Sequence, residues 1–168
     1  MEKKLSDLIN KAKTLGSLEA KLIETNSIVF DPRSHLKCRF GCQRWGKYWT
    51  CPPHLELSQQ AFMEAFSCYN QALLLKCSTP LASQKITLAL EKEAMLHYKC
   101  AFSFAMVLCV KCEECSWPKP CRYPHAARPA MDAYGIDIGK TVAKAGFTVE
   151  LDPKGDLLPS WYSLVLLN

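Results

Sequence analysis

The sequence predicts an α+β (or α/β) single domain over residues 1–168, with a mixed sheet, flanking helices and two cysteine-rich metal loops at one edge. Three observations predict it. Segments of helical and strand-like periodicity are interleaved along the chain. Composition is ordinary for a globular protein, with 49% hydrophobic and 22% charged residues. Seven of the ten cysteines fall into two polar loops containing glycine and proline rather than into the periodic segments.

The elements follow in order. Lys3 to Leu15 carries Leu5, Leu8, Ile9, Ala12 and Leu15 at helical spacing, with Gly16 as a stop. Ala20 to Phe30 alternates loosely, as one or two short strands do, until Asp31-Pro32 breaks the pattern. Pro32 to His54 reads as a loop holding Cys38, Cys42 and Cys51. Ser58 can cap a helix to about Tyr69, with Phe62, Ala65 and Phe66 inward. Gln71 to Cys77 reads as a buried strand, and Ser83 to Tyr98 as a helix with Ile86, Leu90 and Leu96 on its apolar side. Ala101 to Leu108 is a continuous apolar run of the kind found in central strands. A second cysteine loop runs from Cys109 to about Arg128. Ile138 to Ala145 suits a short helix closed by Gly146, and Phe147 to Leu151 and Trp161 to Leu167 read as late strands.

No stretch approaches the roughly 20 apolar residues that span a bilayer. The amino end, MEKKLSDLINKAK, lacks the apolar segment of a secretory signal. A cytoplasmic protein with no membrane partner is therefore expected, and there thiols stay reduced. Ten cysteines then call for a role other than disulfides.

Cys109-x2-Cys112-x2-Cys115-x5-Cys121 is the sharpest motif. A Cys-x2-Cys turn lets two thiolates converge on one centre, and Cys115 adds a third from the same loop. Structural zinc more often uses separated pairs, whereas three close cysteines and a fourth near a proline resemble the bacterial ferredoxin run. The spacing departs from that run: five residues precede Cys121, and the proline is Pro124. Cys38-x3-Cys42-x8-Cys51, followed by Pro52-Pro53, offers three thiols, so a fourth ligand comes from elsewhere or one position stays open. Cys68, Cys77 and Cys100 lie singly in or beside apolar elements and read as core thiols. His35, His54 and His125 lie near the two loops, but a lone histidine is more often a hydrogen-bonded surface residue.

The net charge of +5 is concentrated. Between Arg33 and Leu55 stand Arg33, Lys37, Arg39, Arg44 and Lys47 with no acidic residue, and the rest of the chain balances. Such a patch offsets thiolate charge or steers an anionic partner.

Cys38-Arg-Phe-Gly-Cys42 with Gly46-Lys-Tyr-Trp-Thr-Cys51-Pro-Pro resembles the first signature of a family of uncharacterised, predicted metal-binding proteins common in anaerobic bacteria and archaea. Cys109-x2-Cys112-Glu-Glu-Cys115 and Cys121-Arg-Tyr-Pro124 are similar to its second signature, as is Ala127-Arg-Pro-Ala-Met131 leading into Tyr134-Gly-Ile-Asp-Ile138. Val107-Leu108 stands where the family has Gly-Pro, and Ala130 where it usually has serine. The resemblance implies Cys38, Cys42, Cys51, Cys109, Cys112, Cys115 and Cys121 as metal ligands and supplies no activity.

Three functions fit these residues. The first is electron transfer by one or two [4Fe–4S] clusters to a redox partner protein. The second is an enzyme in which a cluster on Cys38, Cys42 and Cys51 keeps an open iron for a small anionic substrate held by Arg39, Arg44 and Lys47. The third is a zinc-stabilised interaction module, with Trp45, Tyr48 and Trp49 among basic residues as a base-stacking surface. Packing of those aromatics over the metal loop is favoured over nucleic-acid binding.

Overall fold

The computed structural model describes residues 2–105, 109–147 and 160–168. Helix α1 (Glu2–Thr14) leads into strand β1 (Glu19–Glu24). Helices α2 (Arg33–Gly41) and α3 (Gln59–Phe66) precede strand β2 (Gln71–Cys77). Helix α4 (Pro80–Ala94), strand β3 (Phe102–Phe104), helix α5 (Ile138–Lys144) and strand β4 (Trp161–Leu167) complete the order. Among the described residues no helix is long and apolar enough to cross a membrane.

The sheet order is β1-β2-β4-β3, and each neighbouring pair is antiparallel, so the expected mixed sheet is corrected to an antiparallel one. The reason is an insertion. Helix α4 carries the chain across from β2 to β3, and the carboxyl-terminal β4 lies between them, antiparallel to both. The run expected as a central strand from Ala101 to Leu108 is therefore displaced: its three strand residues sit at the sheet edge, and residues 106–108 lie outside the described ones.

Both central strands are buried on both faces, which explains why QALLLKC and WYSLVLL read as apolar runs rather than alternations. Leu73, Leu75, Cys77, Val165 and Leu167 meet Leu5, Leu8, Ala12, Ile86 and Leu90 of α1 and α4. On the opposite face Ala72, Leu74, Leu164 and Leu166 meet Phe62 and Phe66 of α3, Val142 of α5, and the Met131 and Ile136 side chains. Burying each large aliphatic side chain contributes about 1.5–3 kcal/mol. The result is a helix–sheet–helix sandwich.

Local signals set the helix starts. Ser58 accepts a hydrogen bond from the Ala61 amide (3.2 Å), Thr79 one from Ala82 (3.1 Å) and Asp137 one from Lys140 (2.9 Å). Each such cap is worth about 1 kcal/mol. Ile86 and Leu90 are buried as expected, but Leu96 is exposed because α4 ends at Ala94, and Ala65 because it lies off the face that carries Phe62 and Phe66. Phe147 is buried yet stands outside any strand, and the remainder of that expected strand lies outside the described residues.

The largest correction falls on Pro32 to His54. Arg33–Gly41 is a helix, started by Pro32 and by Asp31 Oδ1, which accepts from the Arg33 amide at 3.0 Å. None of its residues is buried, so no apolar periodicity announced it.

Candidate metal centre

The stretch from Pro129 to Asp137 ties the site to the sheet. The Ala105 amide donates to the Pro129 carbonyl (2.9 Å) and the Met131 amide to that of Ala105 (3.0 Å), bringing the two ends of the second cysteine loop together beside β3. A few residues on, the Asp31 amide donates to Gly135 (2.7 Å) and that of Asp137 to Val29 (2.8 Å). Gly135 has φ +88°, and a Cβ there would come within 3.2 Å of Gln59 Nε2, so glycine suits this turn.

Cys109, Cys112, Cys115 and Cys121 line one cavity. Its other walls include Tyr48, Trp49 and Thr50 of the first cysteine loop, together with Lys111, Ser116 and Tyr123. The two loops are therefore one assembly. Trp49 Nε1 donates to the Lys119 carbonyl at 2.9 Å, and its ring meets Trp117 edge-on with centroids 4.5 Å apart. His54 stacks on the other loop's Trp117 at 3.6 Å, and its Nε2 lies 3.1 Å from the Gly46 carbonyl. That histidine is occupied in holding the loops.

Gln84 of α4, buried and unremarked in the sequence, anchors the second loop. Its Oε1 accepts from the Val110 amide (2.8 Å), while its Nε2 donates to Cys109 Sγ (3.3 Å) and to the Ala126 carbonyl (3.1 Å). One helical repeat further, Glu91 is buried and takes Arg128 Nε and the Ser103 amide, each at 2.8 Å. Its carboxylate is also bonded by Arg128 Nη2 and the Ser103 hydroxyl. Burial opposes ionisation of Glu91, but hydrogen bonds from Arg128 and Ser103 outweigh it and lower its pKa below the ordinary 4.5. Helix α4 thus grips both ends of the cysteine loop.

Cys38 lies in the last turn of α2, and Cys42 caps its end with extended backbone. Burial raises the pKa of Cys38, and that of Cys51 to about 12, with a further upward push from the neighbouring charges of Cys42 and Asp132 on both. The three cysteines are thus close enough to feel one another. Thr50, which lines the other cysteine cavity, favours the Cys51 thiolate through its side chain and partly offsets that upward push. Asp132 itself is held above the usual carboxylate range by burial, against its backbone hydrogen bonds and the Lys37 charge. Asp132, Gln84, Thr50 and Glu91 escaped sequence reasoning because nothing in their local patterns sets them apart.

Of the remaining cysteines, Cys77 is a core thiol as expected, but Cys68 and Cys100 are exposed, because each falls in a turn after its helix rather than inside it. His35 Nε2 lies 3.0 Å from the Ala133 carbonyl.

The donor sets are what a metal cofactor asks for. Among the described residues, no three Cys, His, Asp or Glu side chains stand close enough to hold a single metal ion. A tetrahedral zinc would need thiolates about 3.8 Å apart, given Zn–S bonds near 2.3 Å. An iron–sulfur cube binds each thiolate to a different iron and so accepts a wider set. Four thiols around one cavity, with Lys111 in its wall, are a donor set that fits a thiolate-bound metal centre.

Fold and site together define an α+β protein with two interlocked cysteine loops, of the metal-binding class. Residues 21–167 match the DUF2284 family of predicted metal-binding proteins, and the chain belongs to that family. No curated protein and no solved structure gives a significant match.

Proposed function

We propose that this protein is a cytoplasmic iron–sulfur protein that carries one or two [4Fe–4S] clusters and passes electrons to a partner protein. The observation that carries the reading is the convergence of Cys109, Cys112, Cys115 and Cys121 on one cavity. These four would hold one cluster, and Cys38, Cys42 and Cys51 would supply three ligands to a second. A bound cluster supplies one-electron chemistry at a potential set by hydrogen bonding and exposure.

The chain's own residues suit that role. Lys111 in the cavity wall offsets thiolate charge. Trp49, His54 and Trp117 hold the loops together and cover the gap between the two cysteine groups with rings. Lys37, Arg44 and Lys47 are exposed, as a surface that receives an anionic partner requires.

One observation favours the open-site enzyme as a second reading. A cleft of about 490 Å³ is lined by Arg33, Ser34 and Lys37 of α2, the helix that carries Cys38, together with Asp31, Asp132 and Asp137. Against the base-stacking surface of the zinc-stabilised module, Trp49 is packed against Trp117 rather than presented to a base.

The test is anaerobic purification followed by assay of iron, acid-labile sulfide and zinc per chain. Iron with matching sulfide is expected. Zinc without sulfide overturns the reading.

A further inference from the structure

Helix α4 has three faces, and the fold uses two of them. Ile86 and Leu90 pack into the core, while Gln84 and Glu91 hold the second cysteine loop. The third face carries Leu81, Lys85, Leu88, Ala89 and Lys92, spaced by three and four residues along one stripe. It lies open: Leu81 is 62% exposed, and Lys85 and Lys92 are exposed with it. Between this stripe and the second loop runs a groove of about 430 Å³, walled on the loop side by Lys111, His125 and Ala126.

The groove carries one sign of charge. Three lysines and His125 line it around the apolar Leu81, Leu88 and Ala89, and among the described residues no carboxylate does. Glu113 and Glu114 of the same loop lie outside its walls. The cleft beside α2 differs, because Asp31, Asp132 and Asp137 share it with Arg33 and Lys37 and offset them. A cationic groove with an exposed leucine is complementary to a segment that carries carboxylates around an apolar side chain. The groove also borders the four-cysteine cavity. Lys111 lines both, and Gln84 in the groove wall donates to Cys109 Sγ at 3.3 Å. A partner seated there stands one side chain away from Cys109.

We propose that this groove is the docking surface for the redox partner, and that the partner is a protein presenting an acidic segment with an apolar side chain among its carboxylates. The proposal rests on the electron-transfer reading above and gives that partner its chemistry and its place. One electron passes from the reduced partner to the oxidised centre on the Cys109 side of the loop, and no bond is made or broken. Electron-transfer encounters are small and transient, with about 1,200 Å² or less of buried surface, so a shallow groove suffices. Lys37, Arg44 and Lys47 of the first loop add to the long-range attraction that brings an acidic partner in.

The probe is an acidic plant-type [2Fe–2S] ferredoxin, and the full chain is reconstituted anaerobically as wild type, Lys85→Glu, Lys92→Glu and Lys144→Glu. Lys144 is exposed on α5, across the sheet from α4, so its reversal makes the same change in net charge away from the groove. Iron and sulfide are assayed in each sample. Ferredoxin binding is then measured by calorimetry, and electron transfer from reduced ferredoxin by stopped flow. Both groove variants should keep their iron and sulfide, bind roughly fivefold more weakly and accept electrons more slowly by a similar factor. The difference should shrink as salt rises from about 0.05 M to about 1 M. Lys144→Glu should stay within about twofold of wild type. Equal effects of the three reversals, no ferredoxin binding by wild type, or no electron transfer to iron-loaded wild type overturns the docking proposal. Absence of iron and sulfide in wild type overturns the cluster reading instead, and the binding measurement, which needs no metal, still decides the groove.

Discussion

Trp49 Nε1 donates to the Lys119 carbonyl at 2.9 Å, and this bond joins two cysteine loops separated by most of the sheet in sequence. Beside it the Trp49 and Trp117 rings meet edge-on. The loops therefore form as a pair, and damage to one should be felt at the other.

Trp49→Phe keeps a ring on Trp117 and removes the hydrogen bond, a loss of about 1 kcal/mol. A fall in melting temperature of about 2–4 °C is expected for a chain of this size. Trp49→Ala should lower it further and reduce the metal retained by Cys109, Cys112, Cys115 and Cys121. Calorimetry and metal assay on the same samples check both; unchanged metal retention would argue against interlocked loops.

Gln84→Leu should uncouple α4 from the second loop. It leaves the Val110 amide without its partner, at a cost of about 1–3 kcal/mol if that amide stays dry. Helix content by circular dichroism should persist while metal is lost faster to a chelator. Equal loss rates in variant and wild type would show that Gln84 does not position Cys109.

Glu91→Gln leaves the Arg128 guanidinium, only 14% exposed, without its anion and should destabilise the fold by about 3–5 kcal/mol. The pH dependence has a definite sign. The Glu91 pKa is lower folded than unfolded, so its stabilisation is complete above about pH 4.5 and lost as pH falls toward the folded pKa. Urea unfolding at several pH values should show wild-type stability declining below pH 4.5 more steeply than that of the variant. Parallel curves would contradict the pairing.

Thiol reactivity in metal-free protein should follow burial. Cys51, pushed from 9.0 up to about 12, holds roughly 1000-fold less thiolate at pH 8 than an ordinary cysteine. Exposed Cys42, Cys68 and Cys100 should react with iodoacetamide first, and Cys51 and buried Cys77 last. Mass-spectrometric mapping of a time course reads the order. Early labelling of Cys51 would contradict its burial.

Most of the sandwich was legible in the chain. Gln71 to Cys77 and Trp161 to Leu167 became the central strands because a strand buried on both faces needs an apolar residue at nearly every position. Ser58 and Gly146 marked helix ends because caps and left-handed turns are local events. Helix α2 was not legible, since it buries none of its residues and so leaves no periodic trace.

The site divides in the same way. The sequence by itself determined the seven clustered cysteines, because ligands supplied by one loop must lie close together along the chain. It also determined that Cys38, Cys42 and Cys51 are one donor short of four. The tertiary structure decided what surrounds them: Gln84 behind Cys109, Trp49 between the loops and the Asp132–Tyr134 turn against His35 of α2. Asp132 lies 94 positions after Cys38, and a backbone bridge between Phe30 and Ile136 brings their segments together. Contacts of that kind depend on sheet order and helix packing, and β4, inserted from the far end of the chain, sets that order.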